Sequence, residues 1–225
     1  MDVPLNFVRV AQLLADGTRV RILSLLMDGR AHTATELSIE GDVMPATASF
    51  HLGKLVDEGV LAVAKQGRHR YFRIGSPEIA SLIEGVMGVA AHVNPAQDRK
   101  ATADRELRAG RSCYDHLAGE FAVAFFDSLL GAGMISQRKE SVTVTTDGVQ
   151  FFGRIGIDCD MVSRQRRLYC GACMDWTERR YHLSGAIGAA VFIMLRDLGL
   201  ITVDPGSRRV GISNAGKEFL TTLAL

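Results

Sequence analysis

The spacing of the apolar residues changes at Gly59, and this change restricts the fold of the first ninety residues more than any other feature. Upstream, the pattern is helical. Apolar residues recur at helix spacing over 5–14, and Asp16-Gly17-Thr18 breaks the run. Val20, Ile22, Leu23, Leu25 and Leu26 then predict a second helix that stops near Asp28-Gly29. A short helix is expected over 33–38, followed by a loop holding Gly41 and Asp42. Pro45 suits the opening of the next helix, because its fixed φ and missing N–H cost nothing in a first turn. That helix is expected over 45–58, with Leu52, Leu55 and Val56 on its buried side. After Gly59 the period drops to two. Residues 60–64 and 69–74 read as strands joined across the basic turn Lys65-Gln66-Gly67-Arg68.

Helix, helix, turn, helix and hairpin in that order is the layout of a winged helix-turn-helix. The physics suits double-stranded DNA. A helix fits the major groove, and a basic hairpin tip can meet phosphates. Three blocks in the right order carry a resemblance over about residues 5–90: ADGTRVRILSLL (15–26), ATASFHLGKLVDEGVL (46–61) and KQGRHRYFRI (65–74). They resemble the ArsR/SmtB family of bacterial repressors. The resemblance implies a homodimer joined through the first helix and the helix after the wing (77–91), bound to an operator. It implies that 45–58 is the recognition helix, with Thr47, Ser49 and Phe50 toward the groove and Lys54 toward phosphate. Arg68, His69 and Arg70 are then the wing contacts. His51 is expected to pack or bond locally. Two positions depart from the family pattern. Gly17 stands where proline is usual, which is harmless. Phe50 stands where a second histidine is usual, which alters base readout. The family's metal sites are mostly missing: residues 36–42 hold no cysteine, and the helix after the wing offers only Glu78, Glu84 and His92.

The expected organisation is therefore a DNA-binding domain over 1–92, a polar linker over 93–107 and a regulatory domain over 108–225. The second domain contains a repeat, spanning about 113–156 and 179–225. His116-Leu117-Ala118-Gly119 recurs as His182-Leu183-Ser184-Gly185, offset by 66 residues. Phe126 and Phe192, Leu129 and Leu195, Gly133 and Gly199, and Ile135 and Ile201 keep the same offset. Each copy reads as a long apolar helix, a glycine turn, a hairpin and a closing helix. The two long helices, over 117–130 and 183–195, are expected to pack together through their small residues. Matched units of this kind bury a core that neither buries alone. The fold class is mainly α with small β-hairpins (α+β): an N-terminal winged helix-turn-helix plus a C-terminal pseudo-repeated, winged-helix-like domain.

All four cysteines lie in the second half: Cys113, Cys159, Cys170 and Cys173. Three readings stand. Cys113, His116, Cys170 and Cys173, with His182 or Cys159, can supply thiolate and imidazole ligands for zinc or another thiophilic metal. The same thiols can form a redox switch, favoured by nearby arginines. Alternatively they are buried small side chains, and a small-molecule effector sits near Tyr114, Trp176, Tyr181 and His182. An enzyme using Cys113, His116 and Asp115 is the runner-up, but no phosphate loop, nucleotide fingerprint or nucleophile elbow supports it. Composition narrows the setting. A net charge of only +1 confines any DNA-binding face to a local patch. The first residues lack a signal-peptide pattern, and the apolar run 183–195 is too short for a bilayer. A cytoplasmic, non-enzymatic regulator with reduced thiols is expected.

Overall fold

A computed structural model describes residues 5–93, 105–138, 141–204 and 207–221. The chain divides into two compact units, Met1–Ile83 and Glu84–Leu225. Most of the expected linker, 94–104, and the side chain of His92 lie outside the described residues.

In the first unit α1 (Leu5–Leu14), α2 (Gly17–Leu26), α3 (Ala34–Glu40) and α4 (Pro45–Asp57) precede the hairpin β2 (Leu61–Gln66) and β3 (His69–Ile74). The short β1 (His32–Thr33) pairs with β3, which gives the sheet order β1-β3-β2. Local chemistry sets the helix starts. The Asp16 carboxylate accepts from the backbone N–H of Arg19 at 2.9 Å and caps α2. Thr33 and Glu36 form a reciprocal capping box at α3. Pro45 occupies the first turn of α4. Ile22, Leu23, Leu26, Leu37, Leu52, Leu55, Phe72 and Ile74 are buried together at 0–2% exposure. Burial of each such side chain stabilises by roughly 1.5–3 kcal/mol. His32 is also buried, and its Nε2 lies 2.8 Å from Asp28 Oδ2. That contact raises the imidazole pKa against the opposing effect of burial.

The wing is tighter than the alternation suggests. β2 continues through Lys65 and Gln66, and Gln66 pairs directly with His69. Only Gly67 and Arg68 turn the chain, which Gly67 permits at φ 59°. α5 (Pro77–Val93) follows, and the unit boundary falls within it.

The second unit opens with α6 (Arg105–Ala109) and the hairpin β4 (Arg111–Cys113) and β5 (His116–Ala118). α7 (Glu120–Gly131), β6 (Ile135–Arg138), β7 (Ser141–Val144) and α8 (Thr146–Arg154) follow, then α9 (Cys159–Ser163). The chain ends with β8 (Gly171–Met174), β9 (Tyr181–Ser184), α10 (Gly185–Asp197), β10 (Ile201–Val203), β11 (Val210–Ile212) and α11 (Asn214–Thr221). Helix, hairpin and helix thus occur twice, as α7-β6-β7-α8 and α10-β10-β11-α11. β6-β7-β8-β9 make one sheet, and β4-β5 and β10-β11 are separate hairpins.

Two expectations need correction here. The long helices start at Glu120 and Gly185 rather than at 117 and 183, because Leu117 and Leu183 sit on strands β5 and β9. The two helices also pack on strands more than on each other: α7 lies on β9, and α10 lies on β5. A Cβ on Gly188 would meet the Leu183 carbonyl oxygen of β9 at 2.7 Å, whereas the His116 Cβ of β5 lies at 3.4 Å, an ordinary contact. Each long helix therefore covers the strand of the other copy, and this interleaving creates the shared core.

Gly119 and Gly185 stand at matched strand-to-helix junctions, with φ of 96° and 77°. A Cβ would meet the Arg108 carbonyl oxygen at 2.5 Å in the first case and that of Leu168 at 2.7 Å in the second. Alanine at either site should destabilise the protein by about 1–3 kcal/mol or more. Gly53, within α4 and in open space, should behave oppositely, gaining about 0.5–1 kcal/mol as alanine. Urea unfolding of the full chain tests all three. The His32–Asp28 pair predicts a pH effect. A raised folded pKa means that its stabilisation is complete below about pH 6.5. It is lost as pH rises through the folded value. His32→Gln should flatten that part of the stability profile.

Candidate DNA-reading surface and metal centre

α4 divides its faces sharply. Ala48, His51, Leu52 and Leu55 are buried, whereas Thr47, Ser49, Phe50 and Lys54 are exposed. Phe50 is 59% exposed, which is unusual for a phenyl ring and leaves it available to a partner. Lys54 Nζ stands 4.4 Å from the centre of that ring. The Ser49 hydroxyl donates to the Pro45 carbonyl at 2.8 Å, so it is engaged with its own helix. His51 is turned inward, its Nδ1 3.7 Å from Asp16 Oδ1 and 3.4 Å from Arg19 Nη1. On the wing, Lys65, Arg68, His69 and Arg70 are all exposed. Arg68 Nε approaches His69 Nε2 at 3.4 Å, and the Arg70 guanidinium lies 5.2 Å from the Phe72 ring. The first unit thus presents a helix face with one aromatic ring and one lysine, and a cationic hairpin tip.

The second unit gathers a different set of side chains. Cys113 and His116 face each other across the β4-β5 hairpin, and Cys173 and His182 face each other across β8-β9. One ligand atom from each of the four lies within 4.8 Å of the others. The sulfurs of Cys113 and Cys173 are 3.9 Å apart, and the two Nε2 atoms are 3.2 Å apart. Cys113, His116 and His182 are buried, and Cys173 is half-buried. Each histidine turns its other nitrogen toward a carboxylate. His116 Nδ1 is 3.3 Å from Asp115 Oδ1, and His182 Nδ1 is 3.5 Å from Asp175 Oδ2.

The carboxylates are themselves held. Asp115 accepts from both terminal nitrogens of Arg167. Asp175 is fully buried and takes Arg111 Nη2 at 2.8 Å, the Gly119 N–H at 2.7 Å and the Thr177 N–H at 2.9 Å. Arg111, also fully buried, lies against the Trp176 ring at 4.7 Å. Burial works against the Asp175 carboxylate, but Arg111 and His182 outweigh it and hold its pKa well below the usual range. Burial likewise opposes charge on His116, yet neighbouring Cys113 and Asp115 raise its pKa to about 10. His182, desolvated and repelled by His116, is pushed down. The Cys113 thiol is pushed up by its contact with Cys173 and by burial. A raised thiol pKa is the reverse of what an activated nucleophile needs.

The residues expected to act together are thus partly regrouped. Cys113, His116 and Cys173 converge, with His182 as the fourth member. Cys170 is elsewhere: it is buried in the apolar core, and burial with the neighbouring Cys159 raises its pKa to about 12. Cys170 lies in the bend before β8 and turns into the core, whereas Cys173 lies on the strand, so the two thiols of C-x-x-C do not converge. A two-residue turn makes Cys113 and His116 cross-strand partners, with Tyr114 at φ 59°. Trp176 is stacked by Arg111, and Tyr181 packs at the core edge. The void between β5, β9 and the long helices, lined by Leu117, Phe125 and Leu183 among others, measures about 10 Å³, the lower limit for a single water. Sequence reasoning missed Arg111 and Asp175 as organisers. The available signal was the recurrence of a Cys–His pair, Cys113-x₂-His116 and Cys173-x₈-His182, disguised by six extra residues in the second loop.

A family model described as a helix-turn-helix domain matches residues 14–64. The uncharacterized HTH-type transcriptional regulator YdfF of Bacillus subtilis is 36% identical over 212 residues, covering 94% of each chain. This chain belongs to the HTH-type transcriptional regulators. Its winged helix-turn-helix is of the ArsR type. The Mycobacterium tuberculosis regulator Rv0081 is 34% identical over 99 residues, 44% of this chain and 84% of that one. The crystal structure of Rv0081 overlays with a TM-score of 0.38 at 28% identity, covering 43% of this regulator and 98% of that chain. A probable mercury resistance operon repressor of Streptomyces lividans is 29% identical over 80 residues, 36% of this chain and 63% of its own. Among the described residues no helix is long and apolar enough to cross a membrane.

The Arg111–Asp175 pair yields a stability prediction. Removing one partner strands the other charge without solvent, which costs about 3–5 kcal/mol. Arg111→Met should therefore be severely destabilising in urea unfolding. Arg208→Met, which breaks a longer contact of 3.4 Å to Glu84, should cost less. Equal destabilisation by the two variants would count against Asp175 as the organising group.

Proposed function

We propose that the regulator is a repressor that binds a roughly two-fold DNA operator as a homodimer and is controlled through its second unit. The observation that carries this reading is the exposed face of α4 next to a cationic wing, with the helix's other face committed to the core. Thr47 and Phe50 are the groove contacts. Phe50 offers an apolar surface suited to a thymine methyl group. Lys54, beside the ring, reaches a phosphate, and Ser49 contributes from the same face. Arg68, His69 and Arg70 at the wing meet the backbone or minor groove. α5 supports dimerisation: it exposes Leu82, Val86 and Val89, one apolar stripe at helical spacing. Half-sites one helical turn apart follow from two-fold symmetry.

Control belongs to the second unit because the first lacks the family's usual ligand sets. The Cys113–His116–Cys173–His182 cluster is where zinc or another thiophilic ion acts. Such an ion shifts DNA binding only to the extent that it favours one arrangement of the dimer over another.

Arg68→Ala with Arg70→Ala should weaken binding to all sequences. It should also lower the salt dependence, by about one in log–log slope for each phosphate no longer neutralised. Phe50→Ala should instead cost about 1–3 kcal/mol at the operator and change the preferred bases. Fluorescence anisotropy at several salt concentrations separates the two effects. Unchanged affinity and slope in the double arginine variant would remove the wing from the interface.

A further inference from the structure

We infer that Cys113, His116, Cys173 and His182 form a closed tetrahedral zinc centre that fastens the β4-β5 hairpin to β8-β9. The inference deepens the proposal that the second unit holds a thiophilic metal, and it rests on that reading.

The distances fit. Zinc binds thiolate sulfur at about 2.3 Å and imidazole nitrogen at about 2.0–2.1 Å, so a tetrahedral ion separates two sulfurs by about 3.8 Å and two nitrogens by about 3.3 Å. The observed separations are 3.9 Å and 3.2 Å. Two thiolates and two imidazoles are also the ligand chemistry that zinc takes in structural sites, whereas calcium and magnesium demand oxygen.

The placement of the carboxylates points the same way. Asp115 and Asp175 lie on the Nδ1 side of the two rings, at 3.3 Å and 3.5 Å, which leaves both Nε2 atoms turned toward the cluster. The two Nε2 atoms meet at 3.2 Å beside the two sulfurs. A cation that displaces their protons takes all four atoms as ligands. Carboxylate–histidine–metal relays of this kind orient the ligand and raise its basicity. Arg167 and Arg111 in turn anchor the two carboxylates.

Each hairpin contributes one cysteine and one histidine, so the centre has approximate two-fold symmetry. All four coordination positions come from the protein. No position is left for a reacting water, so the ion acts as a fastener between the two repeats rather than as a Lewis acid. β5 and β9 are also the strands on which α10 and α7 rest, so the fastener sits where the two copies interlock.

The test uses the full chain purified under reducing conditions. Elemental analysis should find about one zinc per chain. Cobalt(II) in its place should give the visible absorption of a tetrahedral thiolate–imidazole site. Cys173→Ser and His182→Gln should each lower the zinc content at least about tenfold, while Cys170→Ser retains it. Chelation of the unmodified protein should lower its melting temperature by about 10 °C or more, reversibly on adding zinc. Metal-free protein with four free thiols and no tetrahedral cobalt spectrum would overturn the inference, because a proton shared by the two histidines would then account for the contact. Zinc kept by Cys173→Ser would overturn it equally. Operator binding measured on the same samples reports separately on regulation: a protein that holds zinc but ignores operator DNA leaves the centre standing and defeats the regulatory reading.

Discussion

The second unit is organised around one carboxylate. Asp175 is sealed from solvent, yet its two oxygens reach three separated parts of the chain. Oδ1 holds Arg111 on β4 and the Thr177 and Glu178 amides of its own loop. Oδ2 holds the Gly119 amide at the start of α7 and faces His182 on β9. A buried charge is tolerable only when so thoroughly satisfied. The requirement works in reverse as well: each partner must be where the carboxylate needs it. Gly119 cannot carry a side chain there, Arg111 must run inward, and β9 must present its histidine edge. Strand β4, the start of α7 and the His182 side of the thiol–imidazole cluster are held in place by the same group.

The first unit has no single organiser of this kind. Its buried charges are paired mostly close by, Asp28 with His32 and Arg19 with the Gln12 and Leu13 carbonyls, and its helices are fixed by caps and an apolar core. This explains why its architecture could be read from the sequence nearly residue by residue. Pro45, the capping residues Asp16 and Thr33, and the change of period at Gly59 each act over a few positions. The wing turn is the local exception. A basic, glycine-containing stretch reads as loop, but cross-strand pairing of Gln66 with His69 extends the ladder once Gly67 supplies a positive φ.

In the second unit the repeat was legible, but its packing was not. Small residues on both long helices suggest helix against helix. Gly188 instead clears space for the Leu183 carbonyl of β9, and nothing along a single helix distinguishes the two uses of a small residue. The ligand set was half legible for a similar reason. C-x-x-C attracts attention because two sulfurs are close in sequence. Cys170 instead lies in the bend before β8 and goes to the core, while Cys173 on the strand joins the cluster. The pairing that matters, Cys173 with His182, is made by strand register across a six-residue loop. Register depends on the whole sheet, and no short window of sequence contains it.

The division of labour follows from these differences. A surface that reads DNA needs exposed side chains on a rigid frame, and α4 with the wing provides that from local rules alone. A site that holds a soft cation needs the opposite: polar atoms converging from distant segments and shielded from water. Such a site can form only where long-range packing overrides local preference, at the junction of the two copies. Duplication supplies that junction readily. Two hairpins, each with a cysteine opposite a histidine, bring four potential ligand atoms within 4.8 Å of one another. The loop of the second hairpin then brings Asp175, which locks β4, β9 and α7 around them.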